Sequence, residues 1–276
     1  MLCGLIVDIS SGILAQNLHC IESQVMDDAE AAIRRVWGEL AESTGQASRL
    51  QSTSATIIDD LVVRYSEPHR RYHTATHIMW VLQHVDDLLA TSQADVDRHS
   101  VIASALFHDA VYVVKAAPSQ SEPSQDDRAL DDRAADSGVA GSQVLTNEAR
   151  SARLAVAQLF KMGWSEPRLT VVAELIEATA AHESSWPGSG NLECAVLLDA
   201  DLAILGADRA TYSTYVAGVR AEYEHIDDEQ WRVGRASVLR SFLAREHIFV
   251  TPAMAQRCEL RARTNLTNEL ARLQAC

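Results

Sequence analysis

The chain has 276 residues, 47% of them hydrophobic, enough to enclose a core in one or two domains. Its 38 acidic and 24 basic residues leave a formal charge of -14, which repels a phosphate backbone and gives no counterion release, so no nucleic-acid polymer is expected as partner. A small phosphorylated substrate stays open, because a bound divalent cation reverses the field inside one pocket.

In chain order, the opening stretch MLCGLIVDISSGILA is apolar but has no basic leader and carries Asp8 within it. A membrane span needs about 20 uninterrupted apolar residues, so residues 1–25 are expected to be a terminal extension, either disordered or docked as a strand or helix, with no membrane partner. Five cysteines, odd in number, scattered and without a CxxC pair, suit a reducing compartment and hence a cytoplasmic location.

From Val25 onward apolar residues recur at three and four positions, as in Ala32, Val36 and Leu40 or Ile57, Leu61 and Val62, and alternating runs are scarce. The pattern predicts helices over Asp27–Ser43, Ser54–Tyr65, Thr76–Ala90, Val96–His108, Asn147–Met162, Glu166–Ala181, Leu192–Ile204, Arg209–His225, Asp227–Leu243 and Pro252–Leu273. The expected fold is all-α, a helical bundle over residues 26–273 whose C-terminal helices form an extension that caps the site and offers a homodimer surface. Residues 116–146 interrupt it: rich in Ser, Asp, Gln and Ala, this insertion has too little apolar surface to offset its ordering entropy, and disorder is expected there.

The chemistry concentrates in three strings. In RRYHTATHIMWVL, His73 and His77 stand four residues apart, so a helix sets both rings on one face, about 5.4 Å apart along the axis. In ALFHDAVY, His108 and Asp109 close an apolar helix. In VLLDADLAILG, Asp199 and Asp201 sit in an apolar segment where an unpaired carboxylate is costly. Imidazole and carboxylate donors together suit Mn, Co, Ni, Fe, Zn or Mg rather than a soft-thiolate metal. Each piece alone is weak: a lone His on an apolar helix is more often a satisfied core residue.

The order His, then His-Asp, then a distant Asp in an apolar helix resembles the HD superfamily of phosphohydrolases. The strings RYSEPHRRYHTATHI, ALFHDAVY, NEARSA, LIEATAAH, LLDADLAILGA, VRAEYEHI and RARTNLTNEL are similar to a bacterial-type family of predicted metal-dependent HD phosphohydrolases, over roughly Asp27 to Leu273. The resemblance implies an HD-domain (PDEase-like) helical bundle and a divalent-metal site of His77, His108, Asp109 and Asp201. His77 is preferred to His73 by its place in the string, and Asp201 to Asp199 by its spacing to LAILG. In the family the Asn-Glu segment follows the HD helix closely, whereas here the insertion separates Tyr112 from Asn147.

With Asp109, Glu148 is the catalytic residue the resemblance implies, as general acid or base. An acid in the first turn of a helix is also favourable for purely local reasons. His73 and His182 are candidates for contact with substrate phosphate, although helix-terminal histidines such as His182 also arise because a cation suits that dipole end. Arg70 is preferred to Arg71 as a charge-assisted phosphate contact. Glu67 and Asp199 are open as acceptors that orient the ligand histidines. The expected function is hydrolysis of a small phosphorylated metabolite or nucleotide by a metal-activated water; the alternatives are an HD-type di-iron oxygenase and a catalytically silent metal-binding scaffold.

Overall fold

The computed structural model describes residues 25–45, 48–92, 96–114, 145–180 and 192–275. Nearly all of the expected N-terminal extension, most of the 116–146 insertion and His182 lie outside the described residues. Among the described residues all regular structure is helical, as the periodicity predicts, and no helix is long and apolar enough to cross a membrane.

A helix over residues 25–42 (α1) buries Ala29, Ile33, Trp37 and Leu40 at steps of four and three. Trp37 ties it to helix Gln51–Tyr65 (α2) by donating its indole N–H to Ser54 Oγ at 2.9 Å. In α2, Tyr65 is fully buried and donates its hydroxyl to the carbonyl of Leu106 at 2.8 Å. Helix Ala75–Thr91 (α3) buries Ile78, Val81, Val85 and Leu88 along one stripe, and His77 lies on that stripe. Each large apolar side chain in such a stripe contributes about 1.5–3 kcal/mol, so the stripe fixes the rotation of α3 and with it the direction of His77.

Helix Arg98–Phe107 (α4) is the spine: Val101, Ala103, Ala105, Leu106 and Phe107 are fully buried, and α4 touches α3 and three later helices, Asn147–Lys161 (α5), Glu166–Ala178 (α6) and Leu192–Asp201 (α7). The small residues Ala103, Ser104 and Ala105 let those neighbours approach. Asp97 caps its N-terminus through the N–H of Ser100 and accepts both Nε and Nη2 of Arg168 from α6 at 2.8 Å. Helix α5 is closed off just past Lys161 by Gly163, whose φ of 79° suits glycine, and Trp164 N–H reaches back to the Leu159 carbonyl.

The insertion leaves its flanks joined. Val113 N–H donates to Asn147 Oδ1 at 3.1 Å, Asn147 Nδ2 donates to the Val113 carbonyl at 3.2 Å, and Val111 N–H donates to Ser151 Oγ at 3.0 Å. The start of α5 is therefore pinned to the chain that follows His108 and Asp109, whatever the length between them.

Four helix boundaries lie three residues from the sequence expectation: α2 starts at Gln51 rather than Ser54, α6 ends at Ala178 rather than Ala181, and two later ends have a visible cause, one tertiary and one local. The helix expected to run to Ile204 ends as α-helix at Asp201 and tightens into a 3-10 turn, Leu202–Gly206, whose carbonyl of Leu205, with that of Ala207, accepts Asn265 Nδ2 at 2.9 and 3.0 Å. Asn265 belongs to the last helix, Pro252–Ala275 (α10), so a distant element ends this one. Helix Arg209–Glu222 (α8) stops three residues short of His225, where Arg220 takes up the turn by donating to the carbonyls of Tyr223 at 2.7 Å and Ile226 at 3.2 Å. Helix Asp228–Leu243 (α9) then packs on α10.

Candidate metal centre

Three elements deliver four side chains to one point. His77 comes from the first turn of α3, His108 and Asp109 from the end of α4, and Asp201 is the last residue of α7. Two helix C-termini thus face the same spot, and the negative ends of their dipoles favour a cation there.

The donor atoms are close. His77 Nε2 lies 3.3 Å from His108 Nε2, 3.3 Å from Asp109 Oδ2 and 3.3 Å from Asp201 Oδ1. His108 Nε2 lies 3.1 Å from Asp109 Oδ2 and 3.5 Å from Asp201 Oδ1. Donors at about 2.1 Å from a common ion are roughly 3.0 Å apart at octahedral angles and roughly 3.4 Å apart at tetrahedral ones. The observed separations, 3.1–3.5 Å, lie just above the octahedral value and around the tetrahedral one. His77, His108 and Asp109 form a group that could hold a metal ion, and Asp201 closes on both imidazoles of that group.

Hydrogen bonding sets the tautomer. His108 Nδ1 is 3.0 Å from the carbonyl of Ala105, an acceptor, so Nδ1 carries the hydrogen and the Nε2 lone pair points at the shared centre. His77 Nδ1 is buried and has no hydrogen-bond partner among the described residues. The two Nε2 atoms, 3.3 Å apart and 3.1–3.5 Å from carboxylate oxygens, surround a point where a positive charge is favoured.

The surrounding carboxylates favour a proton there as well. Burial alone would lower the pKa of both imidazoles, yet the carboxylates of Asp109 and Asp201 overcome it, raising His77 and holding His108 well above its ordinary value. Burial would raise Asp109, but the charges of His108 and His73 and the hydrogen bonds from the ligand histidines hold it well below the usual carboxylate range.

The centre opens on a cavity of about 490 Å³ lined by Asp109 and Asp201. His73 and Glu148 line the same cavity, so two further residues expected from sequence are brought to the site, Glu148 in spite of the insertion. Thr146, not Asn147, caps α5 by accepting the Ala149 N–H at 3.2 Å, while Asn147 ties the helix start to Val113.

Arg70 is placed differently from its expected role as a phosphate contact. Its side chain is fully buried beneath the site; Nε donates to Glu67 Oε2 at 2.9 Å, Nη1 to the carbonyls of His73 at 3.0 Å and Asp109 at 2.9 Å, and Nη2 to that of Ala110 at 3.3 Å. It fastens the chain around Asp109 and has no face on the cavity. Glu67, engaged by Arg70, does not orient a ligand histidine. Neither does Asp199, which turns away to accept the N–H groups of Val250 and Thr251 at 2.7 Å each and the Thr251 hydroxyl at 2.6 Å. Burial pushes the Asp199 carboxyl up, and those donors pull it back.

Sequence reading missed Glu222, at the end of α8. One oxygen, Oε1, accepts the backbone N–H groups of Arg71, Tyr72 and His73 at 2.8, 2.8 and 2.9 Å, and Oε2 accepts His73 Nδ1 at 2.7 Å and the Tyr112 hydroxyl at 3.0 Å. Glu222 therefore holds His73 with its other ring nitrogen free for the cavity. Burial would raise the Glu222 carboxyl; the hydrogen bond and charge of His73 and the backbone donors hold it down to about 2. Gly218, one turn earlier, seats α8 tightly: an added Cβ would meet Tyr72 Cβ at 3.2 Å and the Arg71 carbonyl at 3.3 Å.

Compared with known proteins, the chain matches no family model, no curated protein and no solved structure, so its chemistry rests on the residues of this site.

Proposed function

We propose that the chain is a divalent-metal-dependent phosphohydrolase acting on a small phosphorylated metabolite or nucleotide, with His77, His108, Asp109 and Asp201 as the ligands. The observation that carries this reading is the group of His77, His108 and Asp109, with Asp201 within 3.5 Å of both imidazoles, whose two carboxylates line a cavity of about 490 Å³. Such a volume is typical of small-molecule sites. The order of the four residues along the chain, which resembles the HD superfamily, supports it further.

The donor set of two imidazoles and two carboxylates fits Mn, Co, Ni, Fe or Mg. When bound, such an ion would lower the pKa of a water and stabilise charge developing on phosphorus. The chain's own residues do the rest. Glu148, on the first turn of α5 and at the cavity wall, is placed to take a proton from the attacking water or give one to the leaving oxygen. His73, held at Nδ1 by Glu222, offers its free nitrogen to a phosphoryl oxygen. Tyr72, Tyr112 and Tyr215 supply aromatic faces along the cavity wall.

The test is a screen of nucleotides and phosphorylated metabolites with each of these metals, reading released phosphate, beside the Asp109→Ala protein. Turnover well above the variant's, with one ion bound per chain, is expected. Equal background in both proteins for every pairing removes the hydrolase reading, and two ions per chain would point to the oxygenase alternative.

A further inference from the structure

We infer that Arg235 is the guanidinium that receives an anionic oxygen of the substrate, the part that sequence assigned to Arg70. The identity of the anion rests on the phosphohydrolase reading; the presence of the subsite does not.

Arg235 lies on α9 and lines the same cavity as Asp109 and Asp201, although its side chain is only 8% exposed. Its Nε donates to Glu269 Oε1 at 2.8 Å, Nη2 to Glu269 Oε2 at 3.1 Å and Nη1 to the Tyr215 hydroxyl at 3.1 Å. A guanidinium carries five N–H donors, so these three bonds leave two without a protein acceptor on a side chain more than nine-tenths buried. Arg235 lines the cavity, and that is where an acceptor for them can enter. Arg70 differs in both respects, with four bonds to Glu67 and backbone carbonyls and no place on the cavity wall.

The fork is held rigidly. Glu269, from α10, is itself buried and also accepts the Tyr212 hydroxyl, so the plane of Arg235 is fixed by the C-terminal helix. Because the Arg235 and Glu269 charges offset each other, Arg235 contributes directed donors more than net charge, which suits recognition of a planar or tetrahedral oxyanion by geometry. One aromatic wall links it to the metal end. The Arg235 Cζ is 5.2 Å from the centre of the Tyr215 ring, Tyr215 meets Tyr72 edge-on at 4.7 Å, and Tyr72 leans on His77 at 4.8 Å. The cavity thus has an acidic end that takes a cation and, along one wall, a guanidinium that takes an anion.

Full-length protein loaded with Mn(II) is titrated calorimetrically with inorganic phosphate and with phosphonoacetate, which adds a carboxylate, so that no turnover is needed. In Arg235→Lys, which keeps the charge beside Glu269 but loses the fork, Kd for at least one anion is expected to weaken roughly ten- to hundredfold, with Mn(II) affinity unchanged. Weakening of both anions assigns the oxygen to the phosphoryl group at the metal end; weakening of phosphonoacetate alone assigns it to a second oxyanion. If both anions bind the variant as tightly as the wild type, the inference is overturned. Should the variant fail to fold, a crystal of the wild-type protein with Mn(II) and phosphonoacetate decides: an anion oxygen within about 3.2 Å of Arg235 Nη1 or Nη2 supports the subsite, and none within about 3.5 Å overturns it. Anion binding that depends on Arg235 in a protein that hydrolyses nothing would remove the hydrolase reading and leave this one standing.

Discussion

A buried guanidinium and the carbonyls it serves depend on one another, and Arg70 joins Glu67, His73, Asp109 and Ala110 in this way. Arg70→Met strands those acceptors and is expected to cost about 3 kcal/mol in urea denaturation, with a loss of metal affinity because Asp109 is no longer held. Unchanged stability with weaker phosphate binding would instead restore Arg70 to the substrate. Glu222 carries a pH signature. Its carboxyl falls from an ordinary 4.5 to about 2 in the folded chain, so its stabilisation is complete above pH 4.5 and is lost as pH falls through that window toward 2. A shift of that size corresponds to about 3 kcal/mol for this buried group. The difference in thermal stability between wild type and Glu222→Gln should therefore be constant near neutrality and shrink below pH 4.5; a difference that does not change with pH would show that shape, not charge, is what Glu222 supplies.

At the level of elements, the 3-10 turn Leu202–Gly206 locks α7 to α10, and Gly206 is the contact point. A Cβ there would sit 2.6 Å from Cys258 Cβ and 3.1 Å from the Cys258 carbonyl oxygen, so Gly206→Ala must push α10 away. A cost of about 1–3 kcal/mol is expected, read as a lowered Tm, together with weaker metal binding because Asp201 immediately precedes the turn. A variant as stable as wild type would mean that α10 is free to shift. What sequence revealed of these elements follows from the range of the forces. Helix existence was legible because apolar spacing is local, and Asp201 could be preferred to Asp199 only through its spacing to LAILG in the family resemblance. The ends at Asp201 and Glu222 were not legible, since Asn265 and the Arg220 turn settle them. Nor were Glu222 and the Arg235–Glu269 pair: on amphipathic helices such charges read as solvated faces, and their partners lie up to 151 residues away.

For the whole molecule, the candidate metal centre is a tie between α3, α4 and α7, each of which also carries core. An ion that binds the folded chain and not the unfolded one stabilises it by about 2.7 kcal/mol at a hundredfold excess over its Kd, which for a chain of this size raises Tm by roughly 5–10 °C. Chelator should reverse the rise, and Asp109→Asn should show little of it. The direction with pH follows from the competition between protons and an ion for the two imidazoles. His77 and His108 are raised by Asp109 and Asp201, so near neutrality they retain protons that their Nε2 atoms must give up to a ligand. Metal affinity should therefore climb as pH rises through the region where those imidazoles lose their protons. Calorimetric titration with Mn(II) near pH 7 should release protons, seen as an enthalpy that varies with the ionisation heat of the buffer. An enthalpy independent of buffer, with no rise in Tm, would mean that the four side chains satisfy one another and that the bundle closes around a hydrogen-bonded cluster rather than an ion.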